Sequence, residues 1–298
     1  MIKITNLTKS YGKKKVLENL NCTIKTGSIY GLVGANGAGK STLLRIINDV
    51  FDKDSGTIEI DGNELIGDAS LKQKLVFVPD DLFFFSGYTL LDMALFYKDM
   101  YEKFDLEYVK ELAGILKLNL NEKINNFSKG MKRQCALICA IATNADYMFF
   151  DETFDGVDPV VRTLLKKIIV KQMEKKETTI IMTSHNLREL EDICDNLGLL
   201  YKGGILFESD IDNLKTNMFK IQISLKRDFG KDDFKNYNML SFKKSGSVAT
   251  IILEGDREKY EESLKQMEPV ILDFLPLTLE EIFIYQMEVL GYEFNQII

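Results

Sequence analysis

The chain has 298 residues, with 38 basic and 45 acidic side chains and a formal net charge of −7, which is long enough for a sizeable core and for more than one domain. The acidic balance supplies no general field that would draw nucleic acid, so none is expected as a partner. Four cysteines without a C-x-x-C pair, in a chain with one histidine, argue against a disulfide framework and against a zinc site, and read as buried, reduced thiols of a cytoplasmic protein.

The opening "MIKITNLTKSYG" lacks the charged-then-apolar layout of a signal peptide. Apolar runs such as "ALICAIA" fall far short of the roughly 20 residues that cross a bilayer, so any membrane role is expected to act through a separate chain. The first apolar run, "SIYGLVG" (Ser28 to Gly34), leads directly into "GANGAGKST", Gly34 to Thr42, and then into the helical "STLLRIIND". This fits G-x-x-x-x-G-K-[ST] in its required setting between a strand and a helix. In such a loop the backbone amides of Gly34, Ala35, Asn36, Gly37, Ala38, Gly39 and Thr42 would wrap a phosphate, and the helix N-terminus adds partial positive charge. Lys40 would reach the β- and γ-phosphates, and Ser41 would ligand Mg²⁺. A phosphate loop alone leaves a nucleotide kinase, a GTPase and a motor open.

Further apolar runs, "KLVFVP", "YMFFDE" and "TTIIMTSH", are bounded by turn signals and separated by segments of helical period, which predicts strands buried on both faces of a parallel α/β core. Between Phe83 and Asn144 the pattern turns helical, with "YTLLDMALFYKDMY" and "LEYVKELAGILKL", and reads as an insert within that core. Three successive phenylalanines, Phe83 to Phe85, cannot all face one core from one helix. "YMFFDE" ends on Asp151, which would hold Mg²⁺ through its water shell, and Glu152, which would polarise an attacking water as general base. Parallel strands aim their C-terminal ends at one ligand edge, so Gly34, Asp151 and His185 should converge there. "NNFSKGMKRQCALICAIA", Asn125 to Ala142, reads as a second anion site at a helix N-terminus, or as an ordinary Ser-capped helix. Beyond Asp210 the pattern changes again. "MFKIQISL", the hairpin-like "LSFKKSGSVATIIL", "REKYEESLKQME" and "VILDFLPLTLEEIFIYQMEVLG" predict a small α+β domain.

Together these stretches resemble the ATP-binding subunits of ABC transporters, over Met1 to about Asn213. "GANGAGKST" is similar to the Walker A loop, "FSKGM" to the family signature, "YMFFDE" to Walker B, "DGVD" to the D-loop and "TSH" to the switch histidine. The resemblance implies an α/β fold: a P-loop NTPase core of ABC ATPase type over 1–213, a helical subdomain at about 83–144, and a C-terminal accessory α+β domain over 214–298. It implies ATP and Mg²⁺ as cofactors and a head-to-tail ATP-sandwich dimer, with a second copy of the chain or with a paralogous ATPase subunit. In that dimer Ser128 and Gly130 would meet the partner's γ-phosphate, and Asp158 would tie the two subunits together. Tyr11 would stack on adenine with Val16, and His185 would sense the γ-phosphate and hold the attacking water with Glu152. Where the family usually shows glutamine, "VPDD" carries Asp80; a carboxylate cannot donate a hydrogen bond but can ligand Mg²⁺, so Asp80 is expected as a metal contact. The implied partner is an integral membrane permease, with this subunit cytoplasmic at the inner face of the cell membrane. The signature form resembles exporters of peptides and drugs. The rival reading is a soluble ATP-gated switch acting on ribosomes or DNA.

Overall fold

The computed structural model describes residues 1–64 and 69–289. The chain divides into two compact units, Met1–Glu208 and Ser209–Ile298, a division five residues before the boundary expected from the sequence. The first unit opens with the strands β1 (Ile2–Tyr11) and β2 (Lys14–Ile24), then β3 (Ile29–Val33), α1 (Lys40–Ile47), β4 (Ser55–Ile60), β5 (Asn63–Glu64), α2 (Ala69–Lys72) and β6 (Leu75–Val78). The helices α3 (Leu90–Met100), α4 (Leu106–Ile115) and α5 (Lys129–Ala142) follow, and then β7 (Tyr147–Asp151), α6 (Pro159–Lys176), β8 (Thr179–Ser184), α7 (Leu187–Glu191), β9 (Asn196–Tyr201) and β10 (Gly204–Asp210).

Two sheets enclose α1. One is antiparallel, in the order β2-β1-β4-β5; the other runs β10-β9-β3-β8-β7-β6, and its pairs β9 with β3, β3 with β8, β8 with β7 and β7 with β6 are parallel. Strand β1 exposes alternate residues around Ile2 and Ile4, as a one-sided sheet demands. By contrast β3, β7 and β8 are buried along their whole lengths, which is why they read as continuous apolar runs. Leu43, Leu44, Ile46 and Ile47 of α1 share one apolar cluster with Ile2, Ile4, Leu7 and Ile58 of the antiparallel sheet and with Leu32 and Phe149 of the other sheet. Burial of each such side chain contributes about 1.5–3 kcal/mol, so the helix that follows the phosphate loop is clamped from both sides.

The register sets where these strands end. Val33 pairs with Ser184, and Asp151 pairs with Thr183, so the loops leaving β3, β7 and β8 emerge side by side. In the helical segment, Thr89 and Asp92 form a capping box on α3, and Asp105 caps α4 through Tyr108 N at 2.9 Å. Every residue of α5 from Arg133 to Ala142 is buried.

In the second unit α8 (Ile211–Asn217), β11 (Met218–Ser224), β12 (Met239–Ser245), β13 (Val248–Glu254), α9 (Arg257–Lys265), β14 (Ile271–Leu275) and α10 (Leu279–Val289) build an antiparallel sheet in the order β12-β13-β11-β14 with its helices. Its core is its own, centred on Ile221, Ile223, Phe234, Ile251 and Leu264. Among the described residues no helix is long and apolar enough to cross a membrane.

Candidate nucleotide site

A cleft of about 460 Å³ opens at the shared edge of β3, β7 and β8, lined by Asn36, Gly37, Gly39, Lys40, Ser41 and Thr42 of the phosphate loop and, facing them, by Asp80, Glu152, Asp155 and His185. The loop needs glycine for two separate reasons. Gly39 sits at φ 111° as the cap of α1, a left-handed conformation that disfavours side chains, and a Cβ there would lie 2.9 Å from Leu17. At Gly34 the constraint is contact, since a Cβ would meet the carbonyl oxygen of Leu200 at 2.6 Å. No side chain caps the N-terminus of α1, so its first amides are available to an anion.

Lys40 is buried; its Nζ donates to the carbonyl of Gly34 at 2.6 Å and lies 3.4 Å from Oε1 of Glu152. The other oxygen of Glu152 is 2.8 Å from Nδ1 of His185. Glu152, His185 and Lys40 therefore form one connected group across three strand ends. The Glu152 backbone adopts φ 47°, rare for a residue with a side chain, and its amide donates to Oγ1 of Thr183 at 2.9 Å, which holds the turn.

Asp151 is fully buried. Its Oδ1 accepts from Thr183 at 2.7 Å, while Oδ2 is buried without a hydrogen-bond partner. A buried carboxylate oxygen without a partner at the end of β7 fits a hydrated divalent cation, which would satisfy it through a water.

The remaining predicted residues fall into three groups. Val16 lines the cleft together with Lys14, two residues before it on β2 within "KSYGKKKVL". Tyr11 is 46% exposed and stands edge-on to Phe51 at 6.3 Å, with Lys9 over its ring. Ser128, Gly130 and Asp158 do not line the cleft of their own chain. Ser128 caps α5 by accepting from Met131 N at 3.2 Å, and Asp158 caps α6 through Val160 N at 2.9 Å. Gly130 packs so closely that a Cβ would lie 3.0 Å from the carbonyl of Gly156.

Asp80, expected as a metal contact, has its Oδ1 committed to Nη2 of Arg133 at 2.6 Å. Arg133 was not singled out from the sequence. An arginine four residues before Leu137 on the inward face of a helix is the pattern that marks it.

The ABC transporter family model matches residues 17–155. The ATP-binding protein YtrB of Bacillus subtilis is 31% identical over 95% of this chain and 97% of its own length. The chain belongs to the ABC transporter ATP-binding family. The bacitracin transport ATP-binding protein BcrA of Bacillus licheniformis is 30% identical over 72% of this chain and 71% of that protein. A dimeric structure of a bacterial ABC transporter cassette matches the fold with a TM-score of 0.64 at 23% identity, covering 71% of this chain and 99% of that one. The protein is thus the ATP-hydrolysing subunit of a transporter, and the switch acting on ribosomes or DNA is not favoured.

Proposed function

We propose that this ATPase powers a separate membrane permease at the inner face of the cell membrane, that it does so as a head-to-tail pair around two nucleotides, and that the cargo is an exported peptide or drug. The observation that carries the chemistry is the Lys40–Glu152–His185 group, assembled on one sheet edge against a glycine loop. In this reading the Glu152 carboxylate takes the proton of the attacking water, and His185 fixes that carboxylate by the 2.8 Å contact. Lys40 reaches phosphate oxygens from within the loop. Ser41 and Asp151 would hold Mg²⁺, which when bound neutralises phosphate charge. Tyr11 and Val16 would seat the adenine.

The pair is supported by three features that do not line the chain's own cleft: Ser128 at the head of α5, Asp158 at the head of α6, and Val160, which is 78% exposed two residues after Asp158. An apolar side chain left so open suits a surface that a second copy covers. Support for the permease comes from the segment after β6. Phe83 is 75% exposed and stacks edge-on with Phe85 at 5.4 Å; Phe85 in turn meets Phe96 at 5.1 Å. Such an aromatic patch, next to an apolar cavity of about 200 Å³ lined by Phe84, Met93 and Tyr97, suits a short helix of a partner. The cargo class rests on the bacitracin relative.

The deciding experiment is Glu152→Gln. Hydrolysis should fall by about 10²- to 10⁴-fold while ATP still binds, and the chain should then elute as a dimer in ATP and as a monomer without it. Turnover equal to that of the natural sequence would remove Glu152 from the base role. A persistent monomer in ATP would remove the sandwich.

A further inference from the structure

Arg133 is 1% exposed, the most deeply buried charge in α5, and no feature of ATP hydrolysis derived above uses it. Its Nη2 donates to Asp80 at 2.6 Å and lies 3.7 Å from Oδ2 of Asp155, so one guanidinium bridges the loop after β6 and the loop after β7. Both carboxylates line the same cleft as Lys40 and Ser41. The Nε and Nη1 atoms of the same guanidinium are buried without partners. The guanidinium is buried while the Asp80 and Asp155 carboxylates are about half exposed, so it gives up its hydration for partly screened attraction, with two of its nitrogens unpaired, which makes it a poor stabiliser. Stability therefore does not account for the pair.

Charge does. Three carboxylates, Asp80, Glu152 and Asp155, face the cleft. Glu152 is compensated by Lys40 at 3.4 Å, and Asp155 is held by Lys129 at 2.7 Å on the solvent side. The partner of Asp80 in this set is Arg133. A nucleotide brings several negative charges into this space, and an uncompensated carboxylate lining it repels them.

We propose that Arg133 is a positioning residue for nucleotide, whose buried guanidinium neutralises Asp80 and Asp155 and draws them back so that a polyphosphate can enter the cleft. This rests on the reading of the cleft as the ATP site. It makes Asp80 the partner of an arginine rather than a metal contact.

The test is equilibrium binding of a ribose-labelled fluorescent ATP to the full chain, in EDTA and again in Mg²⁺, with thermal melting alongside. Arg133→Gln should weaken binding by roughly tenfold or more in both buffers, the size of one unscreened charge contact at a few ångströms. Asp80→Asn should leave binding unchanged or tighten it in EDTA, although the melting temperature falls because a buried cation loses its partner. Mere structural damage would weaken binding in both variants, so the opposite signs are diagnostic. The double variant should return to within about twofold of the natural sequence, and Arg133→Lys, which keeps the charge, should hold most of the affinity. If Arg133→Gln does not fold, Asp80→Asn and Arg133→Lys still decide. Weaker binding of Asp80→Asn confined to Mg²⁺ would make Asp80 a metal contact and overturn the proposal, as would a double variant no better than Arg133→Gln. Failure of the natural sequence to bind ATP in either buffer would instead overturn the underlying site.

Discussion

Two helices of this protein begin at polar loops, and they treat their first amides in opposite ways. At α1 the cap is Gly39, with no side chain to hydrogen-bond, and the first turn lines the cleft through Lys40, Ser41 and Thr42. At α5 the cap is Ser128, whose hydroxyl already accepts from Met131 N, and the residues that follow sink into the core from Arg133 onward. Both termini carry the same partial positive charge, of order half an elementary charge. The first has a cation, Lys40, buried beside it; the second has one of its amides satisfied by its own cap.

That contrast can be broken most severely at the first terminus. Lys40→Ala should lower ATP turnover by about 10²- to 10³-fold, the usual effect of removing one charge-stabilising donor, as read from steady-state phosphate release. Next in size, Gly39→Ala should destabilise the first unit by about 1–3 kcal/mol in denaturant titrations, because φ 111° and a Cβ 2.9 Å from Leu17 both oppose it. At the second terminus the expected effects are smaller and of a different kind. Ser128→Ala should cost about 1 kcal/mol of stability through the lost cap, leave the affinity of a monomeric chain for labelled ATP unaltered, and slow turnover only at protein concentrations where pairing occurs. Equal losses of ATP affinity at low and high protein concentration would erase the distinction between the two helices.

The smallest effect sharpens the charge side of the comparison. Hydrogen bonding and attraction from Lys129, aided by Arg133 and His185, hold the Asp155 carboxyl below the usual carboxylate range. A depressed folded value contributes stability above the ordinary carboxylate pKa, and that contribution fades as pH falls through the folded value. Lys129→Met should flatten this acid limb slightly, as seen in melting temperatures measured between neutral pH and the acid range; an unchanged limb would detach Lys129 from Asp155.

The core strands β3, β6, β7 and β8 were legible because burial on both faces leaves an unbroken apolar run, and the strand-end residues Asp151, Glu152 and His185 were legible because such runs stop at the ligand edge. The antiparallel sheet escaped notice, although Ile2, Ile4, Ile58 and Ile60 alternate in the required period. Its strands are half-exposed, so their apolar residues are too sparse to stand out from a loop. The three phenylalanines after Pro79 lie ahead of α3 rather than in a helix, and their different exposures follow from that irregular backbone.

By itself the sequence determined the identity of the phosphate loop, the parallel core and the family, because each depends on short contiguous patterns of glycine, charge and apolar period. Only the tertiary structure decided that Lys14 reaches the cleft, that Ser128 caps its own helix, and that Asp80 answers to Arg133, 53 positions away along the chain. Electrostatic partners are set by distance in space, and distance in space is fixed by strand register and helix packing, neither of which is written in any local stretch of residues.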